Sequence, residues 1–129
     1  MRTLYRALCV ALSLVTPVAA NADVFCSFTI SSLWVTPDGW VNLALGGSGY
    51  GKNWWLCPVS GSIAVNDGYG SKTITSDTCK TIYSQILTQK ITGHPLKIQF
   101  HGPADCSAAA LPADGVAPTP YPANFGFIE

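Results

Sequence analysis

Apolar and polar residues alternate over several short stretches of this chain and change to a helical period only once. Between Asp23 and Thr36, Phe28 and Ile30 alternate with polar neighbours, and Leu33 and Val35 then continue on the opposite parity. A bulge at Ser31-Ser32 accounts for the switch and lets the strand curve round a small barrel. Thr36-Pro37-Asp38-Gly39 is a turn, because proline presets φ and glycine accepts a positive one. From Trp40 to Leu45 the residues Val41, Leu43 and Leu45 share one side, so the two strands form a hairpin. Trp54 to Val59 reads as a third strand. Ser60 to Thr75 is rich in glycine and polar residues and reads as a loop with a short strand at Ile63–Val65. Leu96, Ile98 and Phe100 alternate with Lys97, Gln99 and His101, the pattern of a half-buried strand. Gly102 to Pro122 is an irregular connection, and Ala123 to Ile128 can supply a closing strand.

The helical period falls between these strands. Cys79, Ile82, Tyr83, Ile86, Leu87 and Ile91 recur at the spacing of one buried helix face. Ser76 is the expected N-cap, and Asp77 places a negative charge at the positive end of the helix dipole. Gly93 can take the left-handed conformation that ends a helix, and Pro95 prevents continuation. The order β-β-β-α-β-β, five strands with a helix after the third, is that of a small OB-fold barrel. The fold class expected is mainly β: a five-stranded OB-fold-like barrel with one α-helix and two disulfides. An open α+β sheet is the alternative.

Composition narrows the setting. Met1 to Arg6 is short and basic, Ala7 to Val15 is apolar, and Ala20-Asn21-Ala22 fits a small-x-small cleavage site. Residues 1–22 therefore read as a secretory signal peptide, and residues 23–129 as a single domain. The expected location is secreted or periplasmic, with no membrane span after cleavage. Residues 23–129 hold five lysines, no arginine and seven acidic residues, a formal charge of −2. That balance disfavours nucleic acid as a partner. Cys26, Cys57, Cys79 and Cys106 are four cysteines in an exported chain, hence two disulfides. Four cysteines allow three pairings; the preferred one joins Cys57 to Cys79 and Cys26 to Cys106. No C-x-x-C pair or histidine spacing suggests a metal. No cofactor is expected.

Catalytic chemistry has little support in the residues. His94 and His101 have no neighbouring carboxylate or nucleophile in sequence and read as solvated surface residues. Ser76 and Ser84 lack a nucleophile-elbow context, so an enzyme is not expected and a small hydrolase ranks last. Binding has more. Gly46 to Asn53 is a flexible loop, and Tyr50, Lys52, Asn53 and Trp54 combine stacking faces with hydrogen-bonding groups. Trp54 and Trp55 must face opposite sides of a strand, so one of them should be exposed or at an interface. Packing of the four tryptophans in the core or at an oligomer interface is the competing reading.

Ile30-Ser-Ser-Leu-Trp-Val35, Leu56-Cys-Pro-Val-Ser60, the helix and Thr92-Gly-His-Pro-Leu-Lys-Ile98 resemble the OB-fold binding subunits of AB5 bacterial toxins, most nearly the subtilase-cytotoxin and typhoid-toxin type. The helix stretch from Ser76 to Ser84 also resembles small uncharacterised bacterial secreted proteins. The toxin likeness implies a non-enzymatic module that recognises a cell-surface glycan, assembles as a homo-oligomeric ring and can partner a toxin A subunit. It also implies a ligand contact at Ser27, near the position of a glycan-binding serine. One departure is clear. The toxin subunits pair the cysteine matching Cys57 with one on the second strand, and Asn42-Leu-Ala-Leu45 holds none. The alternative function is a protein-interaction or structural factor, or an inhibitor, of the bacterial envelope.

Overall fold

The computed structural model describes residues 23–46 and 51–126. The expected signal segment, Tyr50 and the last residues of the expected closing strand lie outside them. The chain runs β1 (Asp23–Val35), β2 (Trp40–Gly46), β3 (Lys52–Pro58), β4 (Ser62–Asn66), β5 (Ser71–Thr75), α1 (Ser76–Thr92), β6 (Leu96–His101), β7 (Gly115–Val116) and β8 (Asn124–Phe125). Six strands form one curled sheet in the order β7-β3-β2-β1-β6-β8, and β4 and β5 form a separate hairpin.

The curl originates in β1. Its first half pairs antiparallel with β6, from Asp23 opposite His101 to Phe28 opposite Leu96. Its second half pairs with β2, and the register shifts between Ile30 and Ser32. The bulge expected from the parity switch is therefore present, and it lets one strand serve two neighbours. Lys90 of α1 donates to the Ser31 carbonyl at that bulge at 3.1 Å, fixing the helix to the bend. Thr36 and Trp40 exchange hydrogen bonds across the β1–β2 turn, and Gly39 has φ 85°.

The expected closing strand is present as β8, and the connection before it, expected to be irregular, adds the short strand β7. β7 runs parallel to β3, with Trp54 opposite Gly115. β8 runs antiparallel to β6, with Ile98 opposite Phe125. Among the described residues β7 and β8 do not pair with each other, so the sheet is an OB-fold-like half-barrel and not a closed five-stranded one. The segment before β8 is held by core contacts in place of a ladder: Leu111 and Tyr121 are buried.

The β4–β5 hairpin corrects the reading of residues 60–75 as mostly loop. Within β5 only Ile74 is buried, so its sequence shows no apolar alternation. Its turn is shaped by side chains: the Asn66 amide oxygen accepts from Gly68 N, and Asp67 Oδ1 accepts from Tyr69 N and Gly70 N. Gly68 has φ 96°, and a Cβ there would collide with the His101 carbonyl, so the turn rests directly on the end of β6.

Helix α1 starts one residue earlier than expected. Thr75, not Ser76, is the N-cap, and its side chain accepts from Thr78 N. Gly93 caps the other end with φ 71°. Cys79, Ile82 and Ile86 are buried, and Tyr83 and Leu87 are half-buried. Ile91 departs from the expected face: it is 75% exposed, since the last fully buried side chain of the helix is Ile86 and its final turn runs past the core. The Cys57–Cys79 disulfide joins β3 to α1, and Cys26–Cys106 joins β1 to the segment after β6. The core gathers Phe28, Val41, Leu43, Trp54, Leu56, Ile86, Ile98 and Phe100 inside the curl. No described helix is long and apolar enough to cross a membrane.

Candidate functional site

Strand parity sorts the tryptophans. Trp54 points inward and is fully buried, with its ring edge-to-face with Phe28 at 6.5 Å and with Phe100 at 5.8 Å. It therefore offers no face to a ligand, which corrects its assignment to the binding set. Trp55, the next residue, points outward and is 38% exposed.

On that outer face the register builds one cross-strand row. Trp34 of β1 stands opposite Asn42 of β2, Asn42 opposite Trp55 of β3, and Trp55 opposite Val116 of β7. Directly opposed side chains on one face of a sheet are in contact range. Trp34 and Trp55 sit two strand spacings apart, about 9–10 Å. Trp34 is 39% exposed and Val116 is 50% exposed, yet Asn42 between the two tryptophans is wholly buried. Each indole thus gives part of its surface to the sheet and leaves the rest open to solvent.

Both polar atoms of the Asn42 side chain are buried and have no hydrogen-bond partner among the described residues. Such a group costs about 1–3 kcal/mol relative to a paired one. Native structures contain few of them, and each calls for an explanation. The next row outward is Ser32, Ala44 and Asn53, where Asn53 is exposed. The Asn53 N–H donates to the Asp114 carboxylate at 2.9 Å, which fastens the segment before β7 to β3. No ionisable side chain belongs to either row. Flat apolar faces, a carboxamide and no charge match a neutral ligand that has both C–H faces and hydroxyls.

The other residues expected at a site are scattered. Ser27 is exposed on the same side of β1, but it pairs with Lys97 of β6 and lies seven residues from Trp34, roughly 20 Å along the strand. Lys52 is half-buried opposite Leu45. Tyr50 lies outside the described residues. Of the expected set only Asn53 adjoins the tryptophan row. The alternation Trp40-Val-Asn-Leu-Ala-Leu45 puts Asn42 on the outer face, but only the register puts tryptophans on both sides of it.

A second polar cluster corrects the reading of His101 as a solvated residue. Its Nδ1 lies 2.6 Å from Asp23 Oδ1, its side chain is only 12% exposed, and its ring stacks on Tyr69 with centroids 4.0 Å apart. The Tyr69 hydroxyl donates to the same carboxylate at 3.0 Å, and Gln99 Nε2 donates to Asp23 Oδ2 at 2.7 Å. The hydrogen bond from His101, with those from Tyr69 and Gln99, holds the Asp23 carboxyl below its ordinary value, and the bond to Asp23 raises the Tyr69 phenol. The Tyr69 hydroxyl on this Asp–His pair is thus a harder acid than usual and is committed to the carboxylate, the opposite of an activated nucleophile. The cluster ties the start of β1, the end of β6 and the β4–β5 turn together. Among the described residues no group of three or more His, Cys, Asp and Glu side chains could hold a metal ion.

No protein-family model, curated protein or solved structure matches the chain.

Proposed function

We propose that this chain is an exported, non-enzymatic binding module, secreted or periplasmic, whose outer sheet face stacks a neutral glycan. One observation carries the reading: the carboxamide of Asn42, unpaired among the described residues, between the exposed rings of Trp34 and Trp55. Pyranose rings present C–H faces that stack on indoles, and their hydroxyls supply both the donor and the acceptor that a carboxamide needs. Two rings set two strands apart suit a short oligosaccharide better than a single sugar. Exposed indoles change rotamer readily, and a tilt of either ring opens the amide to the ligand. The likeness to AB5 toxin binding subunits supports a glycan as the ligand, and a ring of copies would add avidity. The ligand surface in this proposal is the tryptophan row and Asn53, not the Ser27 position.

The envelope-interaction reading also has an observation in its favour. Val116 extends the tryptophan row with exposed apolar surface, which a protein partner could cover. A glycan array probed with residues 23–129 separates the two. Binding to neutral oligosaccharides that is lost in Trp34→Ala and in Trp55→Ala supports the proposal. An empty array together with a tight protein partner that requires the same tryptophans overturns it in favour of the second reading.

A further inference from the structure

The outer face carries a third indole. Trp40 lies two residues before Asn42 on β2, so it shares the outer side with Asn42, about 7 Å away along the strand. It is half-buried and stands opposite Pro58 of β3. Trp34, Trp55 and Trp40 therefore surround the buried Asn42 on three sides, and the first two define a line across the strands. The fourth side is low, because the neighbouring row is Ser32, Ala44 and Asn53. A carboxylate, that of Asp114, borders this side at the Asn53 N–H. The surface is thus a row of two exposed rings with an apolar wall along one edge and short polar groups along the other.

Resting on the reading of this face as a glycan site, we propose that its ligand is an extended β-1,4-linked chain of neutral pyranoses, at least three sugars long. The spacing selects the linkage. In an equatorially linked β-1,4 chain each sugar is turned over relative to the one before it, so the first and third sugars present the same face to a flat surface. They lie two sugar lengths apart, which matches two indoles set two strand spacings apart, about 9–10 Å. An α-1,4-linked chain winds into a helix and does not hold two like faces in one plane at that distance. The middle sugar bridges the two rings. One of its edges lies along Trp40 and Pro58, and the other lies over Ser32 and Asn53, whose hydroxyl and amide can bond sugar hydroxyls. Length and linkage are set by the spacing of the exposed rings and need no contact with the Asn42 amide. The Asp114 carboxylate repels an acidic sugar at the polar edge, which keeps the ligand class neutral.

Cello-, chito- and malto-oligosaccharides of two to four sugars serve as the probes, titrated by calorimetry into the protein. In at least one of the two β-1,4 series the trisaccharide should bind about tenfold more tightly than the disaccharide, the worth of one added stacked ring, and a fourth sugar should add little. The α-1,4 malto series should show no such step. Trp40→Leu, which keeps an apolar side chain but no flat ring, should weaken disaccharide and trisaccharide alike, because both place a sugar beside it. A melting temperature confirms that this variant is folded, and the comparison of linkages in the wild-type protein needs no variant. Equal affinities for disaccharide and trisaccharide in both β-1,4 series overturn the proposal, as does an equal step in the malto series. Unchanged affinities in folded Trp40→Leu also overturn it. Each of these results leaves a neutral-glycan site at Trp34 and Trp55 standing. Binding of no neutral oligosaccharide at all would instead overturn that site, and this proposal with it.

Discussion

Trp54 and Trp55 are the same residue at adjacent positions, and the sheet gives them opposite tasks. The first is fully buried between two phenylalanine rings, and the second is 38% exposed beside an asparagine whose amide has no partner among the described residues. The inner face of the sheet is close-packed and apolar. The outer face pairs large apolar rings with a polar group left unsatisfied among the described residues. Surface built for stability alone rarely buries a carboxamide without a partner, and the proposal of a ligand on the outer face rests on that contrast.

The comparison breaks most easily at Trp54. Trp54→Ala should lower stability by about 3–5 kcal/mol, as for any buried tryptophan, and thermal melts would read it. A shift no larger than that of Trp55→Ala would mean that the two faces do not differ. Next in size is the link between the inner face and the helix. Replacing Cys57 and Cys79 together by alanine should cost about 2–4 kcal/mol, measured by urea denaturation, with Cys26–Cys106 intact by mass spectrometry. On the outer face the sign reverses. Asn42→Leu removes the unpaired amide and should leave stability unchanged or raise it by about 1 kcal/mol, while glycan binding falls. A large loss of stability would show that the amide is bonded in the folded protein.

Trp55→Ala should change stability by less than about 1 kcal/mol and abolish glycan binding, since an exposed residue gives up little packing. The smallest effect concerns acid. The Asp23 carboxyl is held down first by its bond from His101, and that of Asp67 first by its bond from Lys72. A depressed carboxylate contributes stability above its unfolded value and loses it as pH falls through its folded value. Melting temperature should therefore fall below about pH 4, with a shallower fall in Asp67→Asn. Equal slopes in the two proteins would remove Asp67 from the account.

Local pattern carried much of the inner face. The Ser31-Ser32 parity switch located the bulge, Val41, Leu43 and Leu45 located the buried side of β2, and Gly93 located the end of the helix. Both disulfides follow the preferred pairing. The site was harder to see because it depends on register between distant strands. Alternation says that Trp54 and Trp55 face opposite ways, but only the fold says which of them faces the core. The Asp23–His101 pair joins residues 78 apart, and no local signal brings them together. β5 leaves no signal in the sequence because one buried residue in five makes no period, and periodicity does not tell that the helix outruns its core before Ile91.

The most direct test of the outer-face account is an NMR titration of residues 23–129 with the neutral oligosaccharide that gives the strongest array signal, following the indole and side-chain amide N–H resonances. The indole signals of Trp34 and Trp55 and the carboxamide signals of Asn42 should shift together in proportion to saturation, while the indole signal of buried Trp54 stays in place. Shifts confined to Ser27 and the loop around Tyr50, with Trp34, Asn42 and Trp55 unmoved, would contradict the account.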